Sequence, residues 1–454
     1  MTVETSPAEA FRAAFRGPIL EPGQDGYDEA RAIQNGLIDR RPAMIARCLG
    51  TADIVAAVNF ARESGLEIAV RGGGHNVAGR SVCDGGLMID LSTMRSVLVD
   101  PERRTARVQG GANWADVNNE TQLHGLAVTG GQVSTTGVAG LTLGGGLGWL
   151  MGKYGMTVDN LLSAQVVTAS GEVIRASKDQ HADLFWAIRG GGGNFGVVSE
   201  FEFQLHPVGP IVVGGLVAYP FEAARDVLRF YRDFSANLPD ETTAFAGLLH
   251  APDGSGVKLA AILACHAGTI EEGEATVRPI KEFGTPAMDA MGPIPYSALN
   301  SMLDDGFPKG ALNYWKANFL QALSDDVIDT MIARFEACPS LMSGMLLEHF
   351  HGAVTRVPAN ETAFPLRDEA YNLVIVGEWL EPSETERNIG WVRESYDAMS
   401  PHMSQGRYVN YLPDDEATSA AAQAFGVNYQ RLQAIKKQYD PDNIFHYNQN
   451  ITPA

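Results

Sequence analysis

The chain has 454 residues, of which 45% are hydrophobic and 19% are charged, and this balance excludes a disordered chain. Such a length predicts two or three packed domains. The 54 Asp and Glu residues outnumber the 34 Lys and Arg residues, giving a formal net charge of −20, which disfavours nucleic acid and anionic membranes as partners. Because neither a leader pattern nor a run of about 18 apolar residues occurs, we expect a soluble cytoplasmic protein.

Glycine is over-represented, and the excess is local. The chain holds 49 glycines, about 11% of its residues against a usual value of about 7%. Of these, 26 lie among the 132 residues of 65–196, whereas 201–454 hold 18 in 254 residues. No G-X-Y period appears, which excludes collagen. The sequence therefore predicts that the backbone of 65–196 comes unusually close to another group.

The first predicted element in the chain is a helix at 51–64, which Thr51 is expected to cap and Gly65 to end. After it the pattern predicts, in order, a strand at 66–70, a loop at 71–76, a strand at 87–91, a hairpin at 96–108, a helix at 114–123, a hairpin at 163–176, a helix at 183–188 and a strand at 197–205.

Composition changes after Pro207. Residues 208–403 have ordinary glycine content and mix strands, such as 259–265, with helices, such as 221–235. The C-terminal stretch returns to helix at 419–439. The cysteines lack CxxC spacing, so we expect buried free thiols rather than a disulfide framework or a zinc site at Cys48, Cys83, Cys265 and Cys338.

Three glycine clusters, at 72–74, 144–148 and 190–196, can act as anion-binding nests. Converging backbone N–H groups hold a pyrophosphate without Lys or Arg, which suits a phosphorylated cofactor in an acidic protein. A single cluster more often makes a turn or a tight packing contact. Three clusters within 125 residues favour the cofactor interpretation.

The stretch 191–196 fits G-x-G-x-x-G, but its context contradicts a dinucleotide fingerprint. Such a fingerprint follows a strand and opens a helix, whereas here a helix precedes and a strand follows. A Walker lysine is also missing. Lys153 does not stand at the Walker spacing from the preceding glycines, and Tyr154 follows it where the motif requires Ser or Thr. A Rossmann domain and a P-loop are therefore disfavoured.

His75 lies inside the first glycine loop, where a histidine has no packing role. The chemistry of histidine leaves two alternatives for His75, exposure at the surface or contact with a cofactor. A metal site is disfavoured, because Cys83 and Asp84 are eight and nine residues away and His124 is remote.

Four stretches together resemble one family. They are 71–76 with 85–91, 137–148, 183–196 and 440–445. In these stretches the chain resembles the p-cresol methylhydroxylase or vanillyl-alcohol oxidase superfamily, in its berberine bridge enzyme-like branch. The resemblance covers 40–207 and 407–451.

The resemblance implies an α+β fold with a two-part FAD-binding domain of the PCMH type. An antiparallel-sheet substrate domain flanked by helices would be inserted between the two parts. The expected boundaries are 1–207 for the N-terminal part, 208–403 for the substrate domain and 404–454 for the C-terminal return. The composition shift near Pro207 agrees with this division.

The implied cofactor is FAD, and the family's flavin-linking histidine corresponds to His75. A second link in some relatives comes from a cysteine, whose position here is Val133, so we expect a single covalent bond. The residues expected to bind FAD are Arg71, Gly72, Gly73, Gly74, His75, Asn76, Gly79, Thr136, Gly137, Gly140, Gly144, Gly145, Gly146, Gly148, Asp159, Asn194, Gly196, Val197, Val198, Asn448 and Gln449.

The implied reaction transfers hydride to the flavin from a C–H bond next to a hydroxyl or amine, and dioxygen then forms hydrogen peroxide. The family's tyrosine base corresponds to the stretch with Tyr408 and Tyr411. A phenol needs a lowered pKa for that role, and on a strand the neighbouring Arg407 would point to the other face from Tyr408. Packing of these rings on the flavin is the alternative. In related enzymes the position of Thr136 lies near the flavin edge that reacts with oxygen, so the resemblance implies that a small residue here leaves room for dioxygen.

Substrate contacts are expected on a strand at 348–351, where His349 and His351 share one face and Glu348 lies on the other. A metal lacks a third ligand there, and surface exposure of the two histidines is the alternative. The substrate is a small molecule, and amine, sugar and other alcohol all remain open. Three alternative functions also remain open: an oxidative cyclase, a dehydrogenase, and an FAD-binding protein without turnover. The oligomeric state is open as well, and a homodimer is one possibility.

Overall fold

The computed structural model describes residues 6–368, 370–415 and 418–454, and its strands form four sheets. The α+β class predicted above is confirmed. The helices of the glycine-rich part are α1 Pro7–Ala14, α2 Tyr27–Arg31, α3 Thr51–Ser64, α4 Trp114–Gln122, α5 Val138–Leu143, α6 Met151–Tyr154 and α7 Ala182–Ile188. Its strands are β1 Ile19–Leu20, β2 Met44–Arg47, β3 Ile68–Arg71, β4 Leu87–Asp90, β5 Val97–Asp100, β6 Thr105–Gln109, β7 Leu126–Ala127, β8 Leu161–Val167, β9 Val173–Ser177, β10 Val197–Gln204 and β11 His206–Pro207.

Helix α3 has the bounds that its apolar spacing predicts, but its N-terminal cap differs. Gly50 is the N-cap, and the Thr51 hydroxyl instead donates to Gln165 Oε1 at 2.8 Å. Gly65 ends the helix in the left-handed region with φ of 63°, where a residue without Cβ is unstrained. The buried face of α3, with Ile54 and Val58, packs on the first sheet.

The first sheet has the order β1-β2-β4-β3, and β2 and β3 each pair with β4 in parallel. Strand β3 leads directly into the His75 loop. The second sheet is antiparallel in the order β5-β6-β10-β8-β9, and the third glycine cluster precedes β10. Two glycine clusters are thereby fixed at the ends of buried strands.

Strands β7 and β11 form a two-stranded antiparallel sheet. The strands after β11 form one large antiparallel sheet, in which β16 pairs with β12 near one end of the order β15-β12-β14-β13-β18-β19-β17. These strands are β12 Ile211–Pro220, β13 Thr242–His250, β14 Lys258–His266, β15 Met288–Asp289, β16 Gly292–Pro295, β17 Leu312–Leu320, β18 Gly344–Phe350 and β19 Ala370–Trp379. The helices of this part are α8 Ala224–Ser235, α9 Ile270–Glu282, α10 Tyr296–Ser301, α11 Asp325–Glu336, α12 Ala353–Arg356 and α13 Thr385–Met399.

Side chains alternate across this sheet, so its two faces differ. On β18 and β19, Met345, Leu347 and Ile375 pack with residues of α8, α11 and α13 in one core. Leu346 and Val374 point the opposite way and belong to a separate apolar cluster. The helix-covered face is therefore structural, and the other face is directed towards the glycine-rich part.

The C-terminal part contains two helices rather than the single helix predicted at 419–439. They are α14 Thr418–Phe425 and α15 Tyr429–Tyr439, separated by a short 3-10 turn. The turn begins at Gly426, whose φ of 47° interrupts the α-helical path. Asn428 in the same turn is buried and donates to the carbonyl oxygens of Ala359 and Thr362, which fixes the turn.

A buried ion pair anchors the end of the chain. Lys436 Nζ lies 2.6 Å from Asp440 Oδ2 and also donates to the carbonyl oxygens of Asn194 and Phe445. Asp440 in turn accepts the N–H groups of Ile444 and Phe445, each at 2.9 Å. These contacts are with the third glycine loop and with the residues that follow α15, 440–454, which we call the tail. The ion pair therefore holds the third glycine loop and the tail together.

Within the three described ranges, no helix combines the length and the hydrophobicity that a membrane crossing requires.

Substitution of the buried cation tests this anchor. Lys436→Met leaves the Asp440 carboxylate uncompensated, and we expect the free energy of unfolding to fall by about 3–5 kcal/mol. Lys437→Met, which removes a neighbouring exposed cation, should change it by less than about 0.5 kcal/mol. Urea unfolding followed by circular dichroism makes the comparison. Equal effects of the two variants would contradict the anchoring role.

Candidate active site

A cavity of about 310 Å³ lies between the glycine-rich part and the uncovered face of the large sheet. The first and third glycine clusters, the tail and strands β17 to β19 all contribute to its wall. Among the residues expected to bind FAD, those lining the cavity are Gly72, Gly73, Gly74, His75, Asn76, Thr136, Gly137, Gly140, Asn194, Gly196, Val197, Val198, Asn448 and Gln449.

The first glycine loop is in direct backbone contact with the start of α5. A Cβ added to Gly73 would lie 2.5 Å from the Cα of Gly137, and one added to Gly137 would lie 2.5 Å from the amide nitrogen of Gly73. No side chain fits at such distances. Glycine at these two positions therefore lets the two loops meet at the cavity wall.

His75 is half-buried at the cavity, with Nε2 3.3 Å from the Thr135 hydroxyl. Loss of solvent lowers the pKa of His75 to about 4, although a hydrogen bond with its own backbone and the charge of Asp304 act in the opposite direction. The imidazole is consequently neutral at pH 7. A neutral imidazole keeps a nitrogen lone pair for bond formation.

The glycines of the second cluster, which were expected to bind FAD, are not among the cavity-lining residues, although Leu147 between them is. A Cβ on each would instead strike a packed group: Asn410 at Gly144, Phe364 at Gly145, Thr157 at Gly146 and the Gly130 carbonyl at Gly148. The cluster thus serves close packing, the alternative that sequence reasoning gave for any single cluster.

Three further residues of the expected set also lie away from the cavity. The Arg71 guanidinium donates to the carbonyl oxygen of Ala30. Gly79 adopts a φ of 73° in the turn after the His75 loop. Asp159 binds Arg367 through both carboxylate oxygens, at 2.7 and 2.8 Å, in a nearly buried ion pair. Their contacts support the loops around the site.

The third glycine loop and the tail meet at Asn194, which is buried. Its amide nitrogen donates to the carbonyl oxygens of Gly191 and Gln449, and its Oδ1 accepts the N–H of Ile451. The side-chain oxygen of Asn448 is buried without a protein partner. The tail therefore presents an unused hydrogen-bond acceptor beside the cavity.

Glu348 is the carboxylate among the described lining residues, and its side chain is buried. Its Oε1 accepts hydrogen bonds from Gln132 Nε2 at 3.0 Å and from the Tyr411 hydroxyl at 2.9 Å. Its Oε2 accepts from Asn372 Nδ2 at 2.7 Å. Burial raises the pKa of Glu348 to about 7, and the three hydrogen bonds oppose that rise. Both protonation states are therefore accessible near neutral pH.

Neither predicted tyrosine has the lowered pKa that a phenolate base requires. Burial raises the pKa of Tyr408, although its oxygen accepts the N–H of Gly146 at 3.0 Å and a hydrogen bond from Asn410 at 2.9 Å. Burial and the Glu348 carboxylate raise the pKa of Tyr411 well above its ordinary value. Tyr411 lines the cavity and Tyr408 packs behind it, with the two rings perpendicular at 5.0 Å.

The expectation that Arg407 and Tyr408 lie on a strand is wrong, because the chain there enters a short 3-10 turn at Val409–Tyr411. The Arg407 guanidinium contacts the hydroxyl and the ring of Tyr396.

The two strand histidines share one face, as their spacing predicts, but that face is opposite to the cavity. His349 stacks on His351 at 5.1 Å and on Tyr371 at 4.7 Å. Both histidines are buried rather than exposed, and burial lowers the pKa of His349 to about 3. Of the three substrate candidates, the structure brings Glu348 alone to the cavity.

Sequence reasoning missed Gln132, Asn372 and Trp315. Gln132 and Asn372 bind the Glu348 carboxylate, and Trp315 lines the cavity from β17. None lies in a motif. The alternation of β18 and β19 could have paired Asn372 with Glu348, since the two are direct partners in the register. In the part of the chain that the structure describes, no group of three His, Cys, Asp or Glu side chains is arranged to hold a metal.

Comparisons with known proteins indicate the family of the chain. Residues 42–177 match the family model of an FAD binding domain, and residues 407–452 match the model described as berberine and berberine like. The chain is 30% identical to an FAD-linked oxidoreductase of Dictyostelium discoideum, an alignment that covers 99% of this chain and 97% of that protein.

A second relative is (R)-6-hydroxynicotine oxidase of Paenarthrobacter nicotinovorans, also 30% identical, with 97% of each chain covered. Among solved structures, 6-hydroxy-D-nicotine oxidase from Arthrobacter nicotinovorans matches with a TM-score of 0.89 at 28% identity. That match covers 97% of this chain and 98% of the solved one.

The contact between the glycine loops is open to a direct test. Gly73→Ala forces a Cβ into the Gly137 backbone, and we expect the free energy of unfolding to fall by about 1–3 kcal/mol. Gly390→Ala in α13, where a Cβ meets nothing within 4 Å, should leave it unchanged or raise it by up to about 1 kcal/mol. Urea unfolding compares the two, and a Gly73→Ala protein as stable as the parent would disprove the close approach.

Proposed function

The chain belongs to the berberine bridge enzyme-like family of FAD-linked oxidoreductases, and from that premise we propose that it is an oxidase. The substrate is a small molecule with a C–H bond next to a hydroxyl or amine. The observation that carries the proposal is the buried Glu348 carboxylate, which faces the same cavity as His75. When bound, FAD supplies the hydride acceptor, which dioxygen reoxidises with formation of hydrogen peroxide.

The residues around the glycine loops fit FAD. The wall there combines backbone, apolar side chains, neutral polar side chains such as Asn76 and Asn448, and the Arg80 side chain. Among the described lining residues the one carboxylate, Glu348, belongs to the sheet on the other side. A pyrophosphate therefore meets N–H groups without charge repulsion. The unpaired Asn448 oxygen offers an acceptor for a ring or ribose donor. We propose the lining residues of the first and third glycine loops and the tail as the FAD contacts.

His75 is the proposed covalent attachment point, through the 8α methyl group of the flavin. Its low pKa keeps the imidazole neutral and nucleophilic at pH 7. Val133 also lines the cavity and offers no sulfur, which supports a single bond. Thr136 lies in the same wall and, as a small residue, is proposed to leave dioxygen a path to the flavin.

Glu348 is the proposed catalytic base. In its ionised form it takes the proton of the substrate hydroxyl or amine while the adjacent C–H bond is broken. Tyr411 and Gln132 donate to the same carboxylate oxygen and fix its direction. Tyr408 holds Gly146 and packs against Tyr411, so it is proposed as a positioning residue. We further propose the domain boundaries 1–207, 208–403 and 404–454, and a cytoplasmic location.

Replacing the base tests this mechanism. Because Glu348 acts when ionised, activity should rise with pH through about 7. Glu348→Gln should lower kcat by about 10²–10⁴-fold and abolish that rise. Turnover is measured as peroxide release in air and as anaerobic flavin reduction, with the best substrate of an alcohol and amine panel.

The matched control is Glu378→Gln on β19. Glu378 is also a buried carboxyl group whose pKa is raised, to about 8, but it does not line the cavity, and its variant should keep the activity and the pH profile of the parent. A Glu348→Gln enzyme with unchanged kcat would rule out the proposed base.

Covalent attachment has its own test. Acid precipitation should carry the yellow flavin down with the parent protein and with the exposed-histidine variant His124→Ala. With His75→Ala the flavin should stay in the supernatant, because no other lining group is proposed to bond it. Peptide mapping should place the flavin on the peptide that contains His75. Flavin on any other peptide, or none bound covalently to the parent, would refute the assignment.

A further inference from the structure

The sheet face above the cavity carries an apolar cluster that adjoins the Glu348 carboxylate. Trp315 and Ala317 on β17, Leu346 on β18, and Val374 and Val376 on β19 form one cluster on this face. Trp315 is the register partner of Val376, and Leu346 is the partner of Val374. The cluster residues therefore share a continuous surface, and Glu348 lies at its edge, two residues after Leu346.

Trp315 contributes an aromatic ring to this surface, but its N–H group is not free to bind a ligand. Its indole N–H already donates to Asn313 Oδ1 at 2.9 Å. The rings of Phe307 and Tyr411 lie 5.6 and 6.1 Å from it at angles near 60°. The indole is thus held by Asn313, Phe307 and Tyr411, and its N–H is already bonded within the protein. What Trp315 contributes to the cavity wall is therefore apolar aromatic carbon.

The strand that carries Trp315 is itself fixed to the His75 loop. Asn35, which is 3% exposed, donates to the carbonyl oxygens of Val77 and Asn313 at 2.8 and 2.9 Å. Its own oxygen accepts the N–H of Asn313 at 2.9 Å. One amide therefore sets the spacing between the wall that bears His75 and the wall that bears Trp315.

Three amide groups that line the cavity already donate within the protein. Gln132 Nε2 donates to Glu348, Asn410 Nδ2 to Tyr408 and the Leu141 carbonyl, and Gln449 Nε2 to the Leu412 carbonyl. A polyhydroxylated substrate would place several hydroxyl groups against the apolar cluster of the sheet, where they lose the hydrogen bonds that they make with water, and each such loss weakens binding. A substrate with one polar group meets no such loss.

We propose that the substrate is a planar, apolar ring compound with one hydroxyl or amine, whose ring lies on Trp315 and whose polar group meets Glu348. Trp315 is the specificity-determining residue in this arrangement. The inference rests on the proposed function for the part played by Glu348, and it excludes oligosaccharides as substrates.

Ligand titration of the flavin-loaded protein tests the proposal without requiring turnover. The probes are 4-methoxybenzyl alcohol and 1-phenylethylamine on one side, and cellobiose and xylobiose on the other. Binding is measured as a change in flavin absorbance. We expect the aromatic probes to produce a saturable change and the disaccharides to produce none at the same concentrations.

Variants of the ring give the second readout. Trp315→Ala should raise Kd and KM for the aromatic probes about tenfold with little change in kcat, and Trp315→Phe should restore most of the affinity, because a stacking surface returns. Trp391→Phe, whose indole packs in the helix-covered core, serves as the control and should change neither constant. Circular dichroism and flavin content verify that all variants fold.

The outcomes separate the two proposals. Saturable binding of disaccharides, absence of aromatic binding, or a Trp315→Ala Kd equal to that of the parent would overturn the inference. If a disaccharide then reduced the flavin and Glu348→Gln stopped it, the proposed function would stand. Aromatic binding that depends on Trp315, without flavin reduction by any compound of the panel, would support the inference and contradict the oxidase.

Discussion

A buried carboxylate that needs donors from three distant parts of the chain is the constraint on which the site depends. Glu348 accepts hydrogen bonds from Gln132 in the glycine-rich part, Asn372 on the adjacent strand and Tyr411 near the C-terminus. An ionised carboxylate without these partners would be costly in such a position. The residues that make it tolerable also bring the large sheet, the glycine-rich part and the tail around one cavity. The hydrogen bonds that hold the parts of the chain together around the cavity are thus the same ones that position the proposed catalytic base.

The opposite wall depends on backbone approach and on the buried Lys436–Asp440 pair. Gly73 and Gly137 let two loops touch where any side chain would prevent it. Lys436 joins the third glycine loop to the tail through the carbonyl oxygens of Asn194 and Phe445. Both ends of the chain therefore build the proposed cofactor side, while strands from its middle build the substrate side. The cavity is a junction between segments rather than a pocket within one of them.

The sequence predicted those features that have a local signal. The bounds of α3 and the two hairpins follow from apolar spacing and turn residues, whereas the class of the fold follows from the family resemblance. The His75 loop is recognisable from its consecutive glycines. Alternation placed Glu348 and His349 on opposite faces of β18, but it could not say which face meets the cavity, because that depends on the helices covering the other side. A pKa is likewise not local: burial raises that of Tyr411, which the motif alone presented as a base. A run of glycines also does not distinguish a nest from close packing: at each glycine of 144–148 an added Cβ would meet a packed group, which the sequence alone does not reveal.

The central claim is that the Glu348 carboxylate and the Trp315 ring together receive the substrate. A crystal structure of the flavin-loaded protein, reduced anaerobically and soaked with its best aromatic substrate, measures this most directly. We predict that the polar group of the substrate lies about 2.6–3.2 Å from a Glu348 oxygen, with its ring on Trp315. A substrate whose polar group lies beyond hydrogen-bond reach of Glu348, with its ring away from Trp315, would contradict the account.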